Sequence, residues 1–150
     1  MVLKNKGIYF FVFLSYMILV LRLTVFRFGR PRYDEGMLNL ELFTDLIHVY
    51  QSYGRGLFLY LFLGNIVIFI PFGFLLPILL KKASFKQVVW LGFLFSLTIE
   101  TMQFIFRVGI AELDDLILNT IGAAVGYLCS YFVKMMVEHS RKLPCTHICG

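Results

Sequence analysis

Leu57-Phe-Leu-Tyr-Leu-Phe-Leu-Gly-Asn65-Ile-Val-Ile-Phe-Ile-Pro71-Phe-Gly73-Phe-Leu-Leu-Pro-Ile-Leu-Leu80 runs from Leu57 to Leu80 without a single charge. About 20 apolar residues at about 1.5 Å each are enough to cross about 30 Å of hydrocarbon, so this stretch reads as a membrane-spanning helix. A barrel strand is excluded, because it needs only about 9 to 11 residues and alternates in polarity. Three more segments have the same character: Gly7 to Phe28, interrupted by Arg22 and Arg27; Gln87 to Phe106, whose one charge is Glu100; and Leu113 to Val133, which starts with Asp114 and Asp115.

Composition agrees. Of 150 residues, 59% are hydrophobic and only 15% charged, against roughly 25% charged in soluble domains. The predicted fold is all-α, a single membrane domain of four transmembrane helices (7–28, 57–80, 87–106 and 113–133) followed by a short tail, 134–150. No composition shift suggests a linker or a second domain. The net charge of +5 is read as topology and not as a nucleic-acid footprint. With the amino terminus inside, Lys4, Lys6, Lys81, Lys82, Lys86, Lys134, Arg141 and Lys142 face the cytoplasm, and Arg27, Arg30, Arg32, Arg55 and Arg107 face outward. This places both termini in the cytoplasm of a multi-pass bacterial membrane protein. The first helix lacks a small-residue cleavage site and is expected to remain as a helix.

Between the first two spans, Leu42, Phe43, Leu46, Ile47 and Tyr50 recur at helical spacing, with Glu41, Thr44, Asp45 and His48 opposite. A short helix in the outer interface is expected.

Polar residues inside the spans converge. Arg22, Asn65, Glu100 and Asn119 each lie 6 to 8 residues from the expected outer boundary, about 9 to 12 Å deep by helical rise. Ser96, Glu100, Gln103 and Arg107 share one face of the third span, and Asp115, Asn119, Gly122 and Gly126 share one face of the fourth. The Gly half of that face permits close approach of another helix. Pro71 frees the carbonyl of Val67 and predicts a kink beside Asn65. Charges at this depth need a partner, water or a function. Snorkelling of Arg22 and a structural Glu100–Arg107 pair therefore stand beside a ligand site.

Taken together, Asn65, Pro71-Phe72-Gly73, Glu100, Gln103, Arg107, Asp114-Asp115-Leu-Ile-Leu-Asn119-Thr-Ile-Gly122 and Gly126-Tyr127 resemble the VanZ-like family of small bacterial membrane proteins. The resemblance covers about Leu38 to Leu128. It departs at Asn39-Leu40-Glu41-Leu42-Phe43, where the family shows Asn-Leu-x-Pro-Phe, and at Glu112, where the family shows Asp. The resemblance implies association with resistance to teicoplanin-like lipoglycopeptides.

From these readings a polar pocket opening to the outer leaflet is expected, with Arg22, Asn65, Glu100, Gln103, Arg107, Asp115 and Asn119 as ligand-binding residues. The expected partners are the lipid bilayer and a lipid-linked ligand or lipoglycopeptide of the outer leaflet, without nucleic acid. Glu100, Asp114 and Asp115 are the catalytic candidates if chemistry occurs on a lipid-linked cell-wall precursor or a phospholipid. Glu112 with the aspartate pair offers a conceivable seat for a hard cation, although neither a metal nor a cofactor is expected. A third reading is a structural subunit that associates through Gly122 and Gly126. His139, Cys145, His147 and Cys149 match no established zinc spacing, and P-loop, Gly-x-Ser-x-Gly and His-Glu-x-x-His motifs are missing.

Overall fold

The computed structural model describes residues 6–26, 32–80 and 83–142. The expected helix end at Phe28, the basic residues Lys4, Arg27, Arg30, Lys81 and Lys82, and Cys145, His147 and Cys149 lie outside them. Within them the chain forms helix α1 (Lys6–Thr24), strand β1 (Met37–Asn39), helices α2 (Thr44–Tyr53), α3 (Arg55–Leu79) and α4 (Phe85–Phe106), strand β2 (Ile110–Glu112) and helix α5 (Leu113–Lys142). The four long helices α1, α3, α4 and α5 are long and apolar enough to cross a membrane. This is the all-α bundle of four spans expected, with α2 as the short additional helix.

The limits of the helices differ from the apolar runs for local reasons. At the start of α4 the Ser84 side chain accepts from Gln87 N at 3.3 Å, and Gln87 Oε1 accepts from Ser84 N at 2.9 Å. This reciprocal cap starts the helix at Phe85, two residues before the expected boundary. At its other end Arg107 takes a left-handed conformation, with φ 58°, and Val108 N donates to Gln103 O at 3.1 Å. That closure normally uses glycine. α5 continues to Lys142 instead of stopping near Val133, because hydropathy marks where the apolar surface ends while Lys134, Met135, Met136 and Glu138 still favour helix. α3 runs as one helix through Pro71 and Pro77.

Packing follows the small residues. α5 lies chiefly along α3 and then along α4, while α1 leans on α3. A Cβ on Gly122 would strike the carbonyl oxygen of Ile66, and one on Gly126 would strike that of Ile70. The close approach expected of these two glycines is therefore made within the chain, backbone against backbone. Below this contact Phe69, Phe72, Leu76, Val88, Ile99 and Ala123 are buried with Val20 of α1. Phe72 stacks on Phe95 with centroids 5.5 Å apart, and the Tyr16 hydroxyl ties α1 to α3 by donating to Ile68 O at 2.6 Å.

The unexpected element is the two-stranded sheet. β1 pairs in parallel with β2, Met37 opposite Ile110 and Asn39 opposite Glu112. It brings the α1–α3 connection and the α4–α5 turn to the same end of the bundle. Strands of three residues leave no alternation to read in a sequence, and their partners here lie on either side of α2, α3 and α4.

Candidate functional site

The polar residues singled out in the sequence gather at the sheet end of the bundle, and most of them work as fasteners. Asp114, in the first turn of α5, is 3% exposed, and both of its carboxylate oxygens lie 2.9 Å from Phe43 N, which donates to them. Phe43 precedes α2 and has φ 59°, a costly backbone for a bulky residue. Asp114 thus holds the strained entrance of α2 against the start of α5.

Glu100 does the matching task for strand β2. It is 6% exposed, and its Oε2 accepts from Glu112 N at 2.9 Å. This fixes the β2–α5 junction over α4. Asp115 accepts from Asn65 Nδ2, joining α5 to α3. One turn further along α5, the buried Asn119 donates through Nδ2 to Ser96 Oγ at 2.9 Å, joining α5 to α4. Gln103 donates through Nε2 to Thr24 O at 3.3 Å and brings in the end of α1. Asn65, Asp115, Asn119 and Gln103 therefore lie at helix contacts, Asn119 with Ser96 and Gln103 with Thr24 O, while Glu100 meets β2.

The two arginines stand apart. Arg107 is exposed, and its guanidinium donates to Asp34 O at 2.7 Å while its own carbonyl accepts from Tyr33 N at 2.9 Å. The expected pairing of Glu100 with Arg107 is replaced: the left-handed turn at Arg107 sends its side chain to the α1–α3 connection, and Glu100 takes a backbone partner. Arg22 is exposed and donates to Phe26 O at 3.2 Å.

The sequence gives Asn39 and Asp45 no site role. Asn39 Nδ2 donates to Asp45 Oδ2 at 2.7 Å, and Asn39 Oδ1 accepts from Glu41 N at 2.9 Å. The second bond is an Asx turn, and an Asn two residues ahead of a chain reversal was its available signal. These residues edge an open groove of about 480 Å³ lined by Met37, Leu38, Asn39, Glu41, Asp45 and Ile110. Its lining mixes apolar side chains with polar and acidic ones. Beside the sheet, burial first, and then Asp115, Asp45 and Asp114, push the Glu112 carboxyl up to about 7. Among the described residues no group of three or more His, Cys, Asp or Glu is arranged to hold a metal ion.

Comparison with known proteins bears on this arrangement. The VanZ/LLP1 family model matches residues 13–134, which takes in α3 and α4 whole and most of α1 and α5. Protein VanZ of Enterococcus faecium is 34% identical over 94 residues, covering 63% of this chain and 52% of that protein. The match thus spans about half the length of the relative. No solved structure matches the chain. With a family match across most of its length and four helices fit to span a membrane, the chain is an integral membrane protein that belongs to the VanZ/LLP1 family.

Proposed function

We propose that the chain recognises an amphiphilic molecule in the outer leaflet and is associated with protection against teicoplanin-like lipoglycopeptides. The observation that carries this reading is the groove at the sheet end. Met37, Leu38 and Ile110 supply apolar lining, and Asn39, Glu41 and Asp45 polar lining, the combination an amphiphile needs at the boundary between headgroups and acyl chains. Glu100 holds strand β2 through Glu112 N, and Asp114 holds the entrance of α2 through Phe43 N. Both carboxylates accept backbone hydrogen bonds, a role that suits a preorganised binding scaffold.

The reading sets the sheet end outside and both chain ends in the cytoplasm, in line with the excess of basic residues on the other side. Cysteines placed at Asp34 and Val108 should react with an impermeant thiol reagent in intact cells, and native Cys145 should not. Labelling of Cys145 from outside would reverse the orientation.

Function is tested by expressing the chain in a glycopeptide-susceptible bacterium and comparing an antibiotic that carries a lipid tail with one that lacks it. Protection should be confined to the lipid-tailed compound, because only that compound is concentrated in the leaflet. Equal protection against both, accompanied by altered cell-wall precursors, would overturn recognition and favour a membrane enzyme.

A further inference from the structure

Two hydrogen bonds at the start of α5 set the course of residues 33–53. Phe43, which precedes α2, donates to Asp114, and Asn65 of α3 donates to the next residue, Asp115. Between them the chain runs the ten residues of α2, turns at Gly54 with φ 82°, and returns along α3 from Arg55 to Asn65. Each arm is about 15 Å long by helical rise. Arms of that length whose feet rest on neighbouring residues must lie side by side, and near the tip Tyr50 of one meets Phe58 of the other, ring centroids 5.7 Å apart. Thus α2 stands along α3 instead of lying flat in the interface.

Strand β1 supplies the opposite course. Tyr33 N is fastened to Arg107 O at the end of α4, and β1 then runs parallel to β2, which leads into α5. The segment therefore enters at the level of Arg107, descends beside β2 to the level of Asp114, reverses at residues 40–43 and climbs back along α3.

The composition of the reversal is the informative part. Reversals at a water surface favour Gly, Pro, Asn, Asp and Ser, whereas this one reads Leu40-Glu41-Leu42-Phe43. Leu40 is 64% and Leu42 51% exposed. Neither lines the groove, while Glu41 and Asp45 do, so the reversal is polar toward the groove and apolar away from it. Between the tip and Asn65, α3 exposes Leu59 and Leu63 as well, on a helix fit to cross a membrane. Exposed apolar surface of this kind marks contact with lipid. Non-helical backbone at membrane depth has to be satisfied by the protein, and here two side chains serve the reversal: Glu41 N donates to Asn39 Oδ1, and Phe43 N to the Asp114 carboxylate.

We infer that residues 33–53 form a re-entrant strand, turn and helix immersed in the leaflet at the sheet end, with Leu40 and Leu42 against acyl chains, so that the groove is reached from within the leaflet. Leu38, Asn39 and Glu41 put the groove's lining at the depth of the reversal. The inference deepens the amphiphile reading and rests on it for the ligand. It narrows the ligand to a lipid-anchored molecule already dissolved in the bilayer, which enters sideways.

The test places single cysteines at Leu40, Leu42, Tyr53 or Ile121 of the full chain, with Cys129, Cys145 and Cys149 replaced by Ala, in phosphatidylcholine vesicles. Each carries a nitroxide, whose collisions with oxygen, concentrated in hydrocarbon, are compared with collisions with a water-soluble nickel chelate. Ile121, exposed on α5 in the span, is the deep reference. Labels at Leu40 and Leu42 should favour oxygen and lie at least about 10 Å deeper than the label at Tyr53, given the length of α2. A second measurement leaves the cysteines native. Leu42→Trp, made with Trp90→Phe to remove the chain's one Trp, should be quenched more by lipids brominated on the acyl chain than by acrylamide in water.

Labels at Leu40 and Leu42 that favour the nickel chelate or lie level with Tyr53 would overturn the inference, as would Leu42→Trp fluorescence quenched chiefly by acrylamide. Acyl-dependent binding of a lipoglycopeptide by a chain whose reversal lies in water would remove this inference while leaving the recognition function standing. A lipid-immersed reversal in a chain that binds no lipoglycopeptide would sustain the re-entrant segment and remove the ligand.

Discussion

Replacing Asp114 by Ala removes the carboxylate that clasps Phe43 N with two oxygens at 2.9 Å. A hydrogen bond to a charged group is worth about 1.5–3 kcal/mol, which corresponds to a roughly 10- to 150-fold rise in local opening. The left-handed backbone of Phe43, at φ 59°, is strained with or without the carboxylate and does not enlarge this difference. Asp114→Asn keeps one uncharged acceptor and should cost about half as much. Hydrogen exchange of the purified protein in micelles reads the effect directly. Amides of residues 33–53 should lose protection in Asp114→Ala, while those in the middle of α3, α4 and α5 keep theirs. Unchanged exchange in 33–53, or equal loss along every helix, would refute the view that Asp114 is the latch of this segment.

Other expectations follow from the same contacts. Gly122→Ala and Gly126→Ala force a methyl group into the α3 backbone and should each destabilise the bundle by about 1–3 kcal/mol or more, read as a lower midpoint of thermal unfolding in detergent; an unchanged midpoint would mean that α3 and α5 do not pack as described. The Glu112 carboxyl, raised by burial to about 7 from an ordinary 4.5, contributes stability that is full below pH 4.5 and is lost as pH rises through about 7. Thermal midpoints should therefore fall between pH 5 and 8, and Glu112→Gln should flatten that fall. Glu100→Gln keeps an acceptor for Glu112 N and should retain the fold and most protection, whereas Glu100→Leu orphans that N–H at a cost of about 1–3 kcal/mol. Loss of all protection in a folded Glu100→Gln protein would point to proton transfer by Glu100 and so to catalysis.

Much of the architecture was legible because the membrane imposes long, coarse signals. The uncharged run from Leu57 to Leu80 and the repeat of Asp115, Asn119, Gly122 and Gly126 both survive errors of a residue or two at their ends. Gly122 and Gly126 were correctly read as a close-packing face. What stayed hidden depends on single backbone geometries and on long-range pairing. The left-handed turn at Arg107 redirects its side chain to Asp34 O, and nothing about an Arg at the end of an apolar helix announces this. The pairing of Asn39 with Glu112 joins strands too short to show a period. Asp114 stands among the catalytic candidates in the sequence, but its partner proves to be a backbone N–H 71 residues away. Depth and face could be inferred from spacing, while the choice of partner had to come from the fold.

The central claim, that the sheet end of this bundle recognises a lipid-tailed amphiphile, is tested most directly by equilibrium binding to the purified chain in nanodiscs. A teicoplanin-like lipoglycopeptide and the same molecule stripped of its acyl chain would be compared against empty nanodiscs. Saturable binding of the acylated compound in excess of the empty discs, weakened by Asp114→Ala and lost with the acyl chain, is the predicted result. Binding no greater than to empty nanodiscs, or equal binding with and without the acyl chain, would contradict the claim.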